Sequence, residues 1–331
     1  MTSKKRLMLL TAGLLVVAAG LILLLGGDDA DETGGDSPAS PARKAAVAPA
    51  ELPPIAFAGN VGGDYRLFAT DERGATPVAV LPEPASDPAW SPDGEQLLFV
   101  DEVEGGAPRL GLSAIGPDRV VESITKGPQI PSRISFRGGT GEVAVQATHQ
   151  TTGEETAGIT SRSSIVSVDL ETGAHERLFD ASGAAYAPAW SPDGKRLVVV
   201  VAEAGCDSDG ICPQRLELLD PDGSVAKTLT TGGAAGSPDW SPDGERIVFT
   251  WDRGRGPGAW ELDVAGGTPR RITADGAPVS DPDFSGNGKS VVYSRSCDLF
   301  VQPVTGGGAT RITDTEDVCE ITPDWRSTPG G

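Results

Sequence analysis

Short runs of β-forming residues recur along the chain after residue 54, separated by turns rich in Ser, Pro, Asp and Gly. Four copies of one unit stand out: DPAWSPDGEQLLFV at 87–100, APAWSPDGKRLVVV at 187–200, SPDWSPDGERIVFT at 237–250 and DPDFSGNGKSVVYS at 281–294. Pro suits the first corner of a tight turn and Gly the corner that needs a positive φ, so each copy predicts a β-hairpin. A third run, a second tight turn and a fourth run follow each hairpin, which predicts four antiparallel strands per repeat.

Two weaker copies, at 132–145 and from Thr322 to the end, complete the repeat. The marker aromatic then falls at Trp90, Phe136, Trp190, Trp240, Phe284 and Trp325, at intervals of 41 to 54 residues. Such a period is typical of propellers and repeat arrays. Residues 55–81 contain a second, third and fourth strand without a first, whereas 322–326 is a first strand with nothing after it. The fold class predicted for residues 54–331 is therefore all-β, a six-bladed β-propeller closed by the C-terminal strand, with the four marker tryptophans largely buried between blades.

The repeated Trp-Ser-Pro-Asp-Gly motif, with the closing Gly-x-x-x-x-Ile-Thr at 267–273 and 307–313, resembles the six-bladed propeller of TolB-like proteins. The resemblance covers residues 54–331. It implies a binding scaffold first, because TolB-like propellers occur as periplasmic interaction proteins and as accessory domains of serine peptidases. The chain departs from the periplasmic TolB protein in showing no separate α/β domain before the propeller, so a Tol-Pal role is not carried over.

The N-terminus predicts a membrane anchor. Lys4, Lys5 and Arg6 precede an uncharged stretch from Leu7 to Gly27, and an acidic run follows from Asp28. At about 1.5 Å per residue this stretch spans the roughly 30 Å hydrocarbon core. Residues 1–27 are then a cytoplasmic stub followed by a transmembrane anchor. The positive-inside rule places the rest of the chain outside the cytoplasm, so we expect a single-pass cell-membrane protein. The alternative is a cleaved signal peptide ending near Val16-Val17-Ala18, which would make the protein secreted.

Residues 28–53 carry no apolar period and are dense in Ala, Pro, Gly and Asp, so we interpret them as a flexible linker. The whole chain has 331 residues, 44 Gly, 27 Pro and a net charge of −20. This charge repels phosphate backbones, which argues against a nucleic-acid partner. Only two histidines are present, His149 and His175, which leaves little room for a histidine-rich metal site or a His-based triad.

Antiparallel blades place the second-to-third loops and the blade connectors on one face. These loops vary in length, from 58–64 and 101–108 through 148–163 to 202–214 and 251–258, whereas the other face carries short, uniform turns. Variable loops on a rigid scaffold commonly bind partners. Candidate ligand-binding residues converge where the first strands line the mouth of the axis: Asp87, Arg133, Asp239, Asp281, Asp283 and Asp324. They suggest a cation or basic-peptide site with Arg133 as counter-charge; the alternative is that these carboxylates cap strands and turns. We assign no cofactor, and Ca²⁺ stays an uncommitted alternative.

Four cysteines in an extracytoplasmic domain suggest structural disulfides. Topology favours two local bridges, Cys206–Cys212 within one loop and Cys297–Cys319, with Cys297 after a second strand and Cys319 in the connector before the last first strand. The second bridge requires the two Cα atoms to lie within about 7 Å of each other.

Motifs for enzyme chemistry are missing from the sequence. It contains no Gly-x-Ser-x-Gly and no phosphate-binding loop in a strand-to-helix context, and Gly254 to Gly258 is interpreted as a simple Gly-rich loop. We therefore expect a non-catalytic, monomeric scaffold that binds a protein, a peptide or a cell-envelope component. The alternatives are a propeller hydrolase or lyase that uses the axial carboxylates, or a propeller derived from a serine-peptidase accessory domain.

The anchor is directly testable. We expect the native protein to stay in the membrane fraction after a high-salt wash and to keep Lys4, Lys5 and Arg6, because the uncharged stretch is long enough to span the bilayer. Fractionation followed by N-terminal sequencing measures both properties. A soluble protein that begins near Ala19 would contradict the anchor and favour the cleaved signal peptide.

Overall fold

The computed structural model describes residues 49–81, 83–103, 109–115, 121–123, 130–152, 159–203, 213–274, 278–315 and 318–327. These residues form 24 β-strands, one short 3-10 helix at Pro49–Glu51 and no α-helix. This helix is too short to span a bilayer, and the described residues contain no other helix that could do so. The predicted anchor at 1–27 lies outside the described residues.

The strands are short and follow one another along the chain. The first half contains β1 (Ile55–Val61), β2 (Asp64–Thr70), β3 (Val78–Ala79), β4 (Ala85–Trp90), β5 (Leu97–Val103), β6 (Arg109–Ile115), β7 (Val121–Ser123), β8 (Ile130–Phe136), β9 (Glu142–Thr152), β10 (Ile159–Asp169), β11 (His175–Phe179) and β12 (Ala184–Trp190). The second half contains β13 (Leu197–Ala202), β14 (Gln214–Leu219), β15 (Val225–Thr228), β16 (Ala234–Trp240), β17 (Arg246–Asp252), β18 (Gly258–Asp263), β19 (Arg270–Arg271), β20 (Ser280–Phe284), β21 (Ser290–Arg295), β22 (Asp298–Pro303), β23 (Thr310–Arg311) and β24 (Val318–Trp325).

Neighbouring strands pair antiparallel in groups of four. Three sheets have the orders β4-β5-β6-β7, β8-β9-β10-β11 and β20-β21-β22-β23, and a fourth has the order β24-β1-β2-β3. The eight strands β12 to β19 form one sheet, because a single parallel pair, Gln214 with Ala234, joins β14 to β16. In the fourth sheet β24 runs antiparallel to β1, from Ile55 opposite Trp325 to Val61 opposite Val318.

Local turn chemistry builds each first hairpin. In the turn at 91–96 the Gly94 amide donates to the Ser91 carbonyl at 2.8 Å, and the Gln96 amide donates to Ser91 Oγ at 2.9 Å. Asp93 Oδ1 accepts the Glu95 amide at 3.0 Å. Gly94 has a φ of 70°, which a side chain would disfavour. The turns beginning at Ser191, Ser241 and Ser285 repeat these bonds, with Asn287 in place of the aspartate in the last turn. The predicted hairpins are confirmed.

The apolar core lies between neighbouring sheets. Trp190 of β12 packs with Ala144 of β9 and Ile165 of β10, which belong to the preceding sheet. Trp90, Trp190 and Trp240 are each 6% exposed, as predicted. Trp325 is less buried than the other three but packs against the apolar cluster that contains Phe57 and Val292, residues of two different sheets.

The chain joins the folded body before residue 54. Leu52, in the predicted linker, is 3% exposed and packs in the apolar cluster that contains Trp90. Its carbonyl accepts a hydrogen bond from Arg326 Nη2 at 3.2 Å. Ordered contacts therefore include the last residues of the segment that composition alone assigns to the linker.

Two predicted loops are replaced by regular structure. The segment 58–64 is a tight hairpin, because β1 and β2 pair as far as Val61 opposite Asp64 and only Gly62 and Gly63 turn the chain, both with positive φ. In 148–163 the strands β9 and β10 continue to Thr152 opposite Ile159. Residues 153–158 and 204–212, and with them Cys206 and Cys212, lie outside the described residues.

A disulfide joins Cys297 to Cys319, with Cα atoms 4.2 Å apart, which confirms the predicted pairing. Cys297 lies in the two-residue turn between β21 and β22, as predicted. The placement of Cys319 in a connector is wrong: it lies within β24 opposite Asn60. The reason is that β24 begins at Val318, four residues before the predicted start at Thr322, since its pairing with β1 extends that far.

We expect the Cys297→Ser/Cys319→Ser variant to unfold with a free energy about 3 kcal/mol lower, the chain-entropy value for closing a loop of this length. Urea unfolding measures the loss. Hydrogen exchange should show faster exchange in β24, which the bridge ties to the β21–β22 turn, with β13 as the internal reference. Equal loss of protection in β13 and β24 would contradict this local role.

Candidate functional site

The first strand of each repeat, which carries the marker aromatic, has a bulge three residues before that aromatic. At this position the register of pairing with the neighbouring strand shifts. The backbone takes a left-handed conformation, with φ between 44° and 52°. None of the residues is glycine, so each position costs on the order of 1 to 2 kcal/mol in backbone energy. They are Asp87, Arg133, Ala187, Ser237, Asp281 and Thr322. Backbone strain that recurs once per repeat must be offset by contacts of these residues.

Three of the predicted site residues meet at these bulges. Arg133 Nη2 forms a short ion pair with Asp281 Oδ1, and its Nε lies 3.9 Å from Asp87 Oδ1. Ser237 Oγ donates to Asp281 Oδ1 at 2.9 Å. Arg133 belongs to β8 and Asp281 to β20, so one side chain links two first strands that are 148 residues apart in sequence. The direct ionic partner of Arg133 is therefore Asp281.

The two carboxylates beside Arg133 titrate differently. Desolvation acts against ionised Asp281, but the Arg133 guanidinium and the hydrogen bonds outweigh it and hold the pKa below its usual range. Desolvation raises the pKa of Asp87, and Arg133 and Ser86 only partly offset it. Arg133 is therefore neutralised mainly by Asp281.

In four of the six repeats, the residue directly before the marker aromatic links one first strand to the next. Asp324 Oδ2 accepts the Trp90 amide at 2.7 Å, and Asp239 Oδ2 accepts the Phe284 amide at 2.9 Å. Asp283 Oδ2 accepts the Trp325 amide in a short hydrogen bond. Ser135 Oγ accepts the Trp190 amide at 2.8 Å. A side-chain oxygen of one first strand therefore caps a backbone amide of the following one in each of these four pairs.

Asp239, Asp283 and Asp324 influence one another's pKa. Desolvation raises the pKa of Asp283 well above its usual value, and the charges of Asp239 and Asp324 raise it further. Desolvation raises the pKa of Asp324 to about 7 and also raises that of Asp239, whose carboxyl is hydrogen-bonded to Asp283. Burial and the repulsion among these carboxylates both favour a protonated carboxyl in this group.

The six predicted site residues therefore fall into two contact groups. Arg133, Asp87 and Asp281 form one group; Asp239, Asp283 and Asp324 form the other, in which each carboxylate already binds a backbone amide. Within the described ranges no three His, Cys, Asp or Glu side chains are placed to hold a metal ion. His175 begins the outer strand β11 and is exposed, as expected from sequence.

Sequence reasoning missed a cavity on the second-to-third loop side of β17 and β18. It has a volume of about 390 Å³ and is lined by Trp251, Arg253, Arg255, Trp260 and Arg271. The available signal was the alternation of Trp and Arg around 251–260, which we interpreted only as a Gly-rich loop. The residues come from β17, β18, β19 and one loop, so only strand pairing brings them together.

The paired antiparallel strands, the repeated bulge and the links between first strands define a β-propeller protein. The family model described as TolB beta propeller domain matches residues 158–326, just over half of the 331-residue chain. The chain belongs to this family, which confirms the resemblance seen in the repeated motif.

Solved structures agree with this fold. TolB from Acinetobacter baumannii is 22% identical with a TM-score of 0.66, and the match covers 83% of this chain and 66% of that one. A putative TolB from Agrobacterium tumefaciens is 20% identical with a TM-score of 0.59, covering 83% and 99%. Kuenenia stuttgartiensis hydrazine synthase is 11% identical with a TM-score of 0.66, covering 82% and 46%. No curated protein matches the sequence. At these identities the likeness shows the fold alone.

The raised pKa of Asp324 gives a stability prediction. Its folded value of about 7 lies above the unfolded value near 3.8, so the folded state binds more protons between these pH values. The free energy of unfolding should therefore fall as pH rises from about 4 to about 7. Asp324→Asn keeps an oxygen for the Trp90 amide and cannot ionise, so it should reduce this slope and be about 1 to 2 kcal/mol more stable than wild type at pH 8.

Urea unfolding at pH 4 to 8 measures the slope. Asp193→Asn is the matched control, because the Ser191 hydrogen bond holds the pKa of Asp193 below its usual value and its contribution is lost on acidification. A slope unchanged in Asp324→Asn would show that this carboxyl does not retain the proton.

Proposed function

We propose that the chain is a membrane-anchored, extracytoplasmic six-bladed propeller that binds a protein, a peptide or a cell-envelope component without catalysing a reaction. The N-terminal stretch at 1–27 is the anchor, residues 28–53 contain the linker, and the loop face carries the partner. If the N-terminus is cleaved, the same domain is secreted.

Contacts of the sheet β24-β1-β2-β3 support six blades and closure of the ring. β24 pairs with β1 and supplies the innermost strand of that sheet. On one side of the sheet, Ala56 packs in a cluster with Leu97 of β5. On the other side, Ile55 and Phe57 pack in a cluster with Val292 of β21. A closed ring requires that the sheet in which β1 pairs with β24 has a neighbouring sheet on both faces.

The outer edges of the sheets support a monomer. The outermost strands β3, β7, β11, β15, β19 and β23 have only two to five residues each. Short edge strands offer few backbone groups for pairing with a second molecule.

Engagement of the axial carboxylates carries the non-catalytic proposal. Asp239, Asp283 and Asp324 each accept a backbone amide from the next first strand, and Asp281 is ion-paired with Arg133. Groups that hold the scaffold together in this way are poorly placed to move during a reaction. The loop face is then the surface left for recognition.

A propeller hydrolase or lyase is the second candidate. The observation in its favour is the raised pKa of Asp283 and of Asp324, since shifted carboxyls are typical of acid–base catalysis. Burial and the neighbouring carboxylates account for the raised pKa of both residues without a reaction, so we rank this candidate second. A propeller derived from a serine-peptidase accessory domain would be a binding module as well.

Site-specific photo-crosslinking in membranes tests the binding face. We expect a crosslinker at Val61 or Thr231, both exposed on the loop face, to give one discrete adduct. Lys195 and Asp222 lie in turns on the opposite face and serve as matched controls, from which we expect no adduct. The same adduct from both faces, or none from the loop face, would contradict the proposal.

A further inference from the structure

One glutamate is fully buried at the contact between two sheets. Glu320 lies in β24 opposite Gly59 of β1, and it is 0% exposed. Its Oε1 forms a short hydrogen bond with Thr315 Oγ1, which belongs to the chain segment that follows β23. No described residue forms a hydrogen bond with its Oε2. A buried carboxylate needs hydrogen bonds to replace the water it has lost, so this position favours the neutral acid.

Burial is the main cause of an altered proton affinity at this position. Desolvation raises the pKa of Glu320 to about 7, and the nearby charge of Asp298 raises it further. The hydrogen bonds from Thr315 and Thr313 only partly offset these effects. Glu320 therefore changes its charge near neutral pH, whereas an exposed glutamate does so near its ordinary pKa of 4.5.

The charged groups on the surrounding strands do not compensate an ionised Glu320. Asp298, at the start of β22, is itself 8% exposed. Arg311 of β23 is shared between Asp298, at 2.8 Å, and Asp314, in a short ion pair. The remaining charged residues on the elements packed here are Arg295, at the end of β21 with its guanidinium over the Phe300 ring, and Arg66 of β2, across Gly59 from Glu320. Neither of them donates to Glu320 Oε2.

The backbone of Glu320 is fixed, so the side chain cannot reach water through a shift of β24. Its amide donates to the Cys297 carbonyl at 3.2 Å, and its carbonyl accepts a hydrogen bond from Ser294 Oγ at 2.7 Å. The disulfide between Cys319 and Cys297 holds the preceding residue in place. Hydration of the carboxyl therefore requires that the residues covering it move.

The residues that cover the carboxyl follow β23 and lie outside the regular strands. Thr315 belongs to this segment, residues 312–315. Hydrogen bonds join the segment to β22: the Ile312 amide donates to the Leu299 carbonyl at 2.9 Å, and the Leu299 amide donates to Thr313 Oγ1 at 2.8 Å. Displacement of residues 312–315 would expose the carboxyl to water and break these hydrogen bonds.

We propose that Glu320 is a pH-sensitive switch at the contact between β24 and the sheet β20-β21-β22-β23. While Glu320 is neutral, residues 312–315 pack over it; when it ionises, they move away and water reaches the charge. The covered form binds the proton more tightly than an exposed glutamate does, so its extra stability is complete below about pH 4.5 and is lost as the pH rises through about 7. The proposal goes beyond the binding scaffold and does not depend on it, because it concerns a movement within the isolated protein.

Hydrogen exchange of the full chain in neutral detergent, from pH 5 to pH 8, tests the switch. The reporters are the amides of Leu299 and Ile312, with their rates corrected for the intrinsic pH dependence of amide exchange. Strand β13 is the internal reference for changes in global stability. We expect the protection of the reporters to fall at least about tenfold across this range, because the opening equilibrium changes by about tenfold per pH unit between the two pKa values.

Variants assign the pH dependence to Glu320. Glu320→Gln keeps the size of the side chain and cannot ionise, so its reporters should be as protected at pH 8 as those of wild type are at pH 5. Glu217→Gln is the matched control: Glu217 is 6% exposed but is ion-paired with Arg215 at 2.7 Å, so this variant should keep the wild-type pH dependence. Asp298→Asn removes the neighbouring charge and should move the midpoint to lower pH.

Two results would overturn the proposal: protection of the reporters that does not change with pH in wild type, or a change that persists in Glu320→Gln. The second result would assign the change to other groups, such as Asp324, which Glu320→Gln leaves intact. If Glu320→Gln does not fold, the midpoint in Asp298→Asn decides, and an unshifted midpoint would contradict the switch. These outcomes hold whatever the crosslinking at the loop face shows.

Discussion

The hydrogen bond between consecutive first strands is the constraint on which the centre of this propeller depends. Where the aromatic that ends such a strand is buried, as Trp90 and Phe284 are, its backbone amide needs an acceptor within the protein. The residue before the aromatic of the preceding first strand supplies one, as Asp324 does for Trp90 and Asp239 does for Phe284. Acidic residues therefore accumulate near the axis for a structural reason.

This solution has an electrostatic consequence. Carboxylates that cap neighbouring amides in a closed interior come close to one another, and Asp283 lies between the charges of Asp239 and Asp324. Retention of a proton keeps the hydrogen bonds while avoiding repulsion. A raised pKa at these positions is thus explained by packing, without any reaction to catalyse.

The bulges add strain and the contacts that oppose it. At the bulges six non-glycine residues take a positive φ, and the ion pair of Arg133 with Asp281 connects two of them from different sheets. A partly buried ion pair adds little net stability compared with apolar packing, but removal of Arg133 leaves Asp281 as an uncompensated buried charge. Arg133 is therefore better understood as fixing how these strands sit than as a reserve of binding energy.

The amino-acid sequence determined the local elements, because turn chemistry acts over a few residues. The Ser-Pro-Asp-Gly turns, the hairpins around them and the pairing of Cys297 with Cys319 follow from the repeat. The roles of the axial residues were decided only by the tertiary structure. Nothing in the local sequence of Asp283 shows that its partner is the Trp325 amide, or that Arg133 meets Asp281. The same holds for Cys319, which lies in β24 because β1, more than 250 residues earlier, extends that strand. The arginines of the cavity also come together only by strand pairing, since contacts across a sheet depend on register between distant segments, which local pattern does not encode.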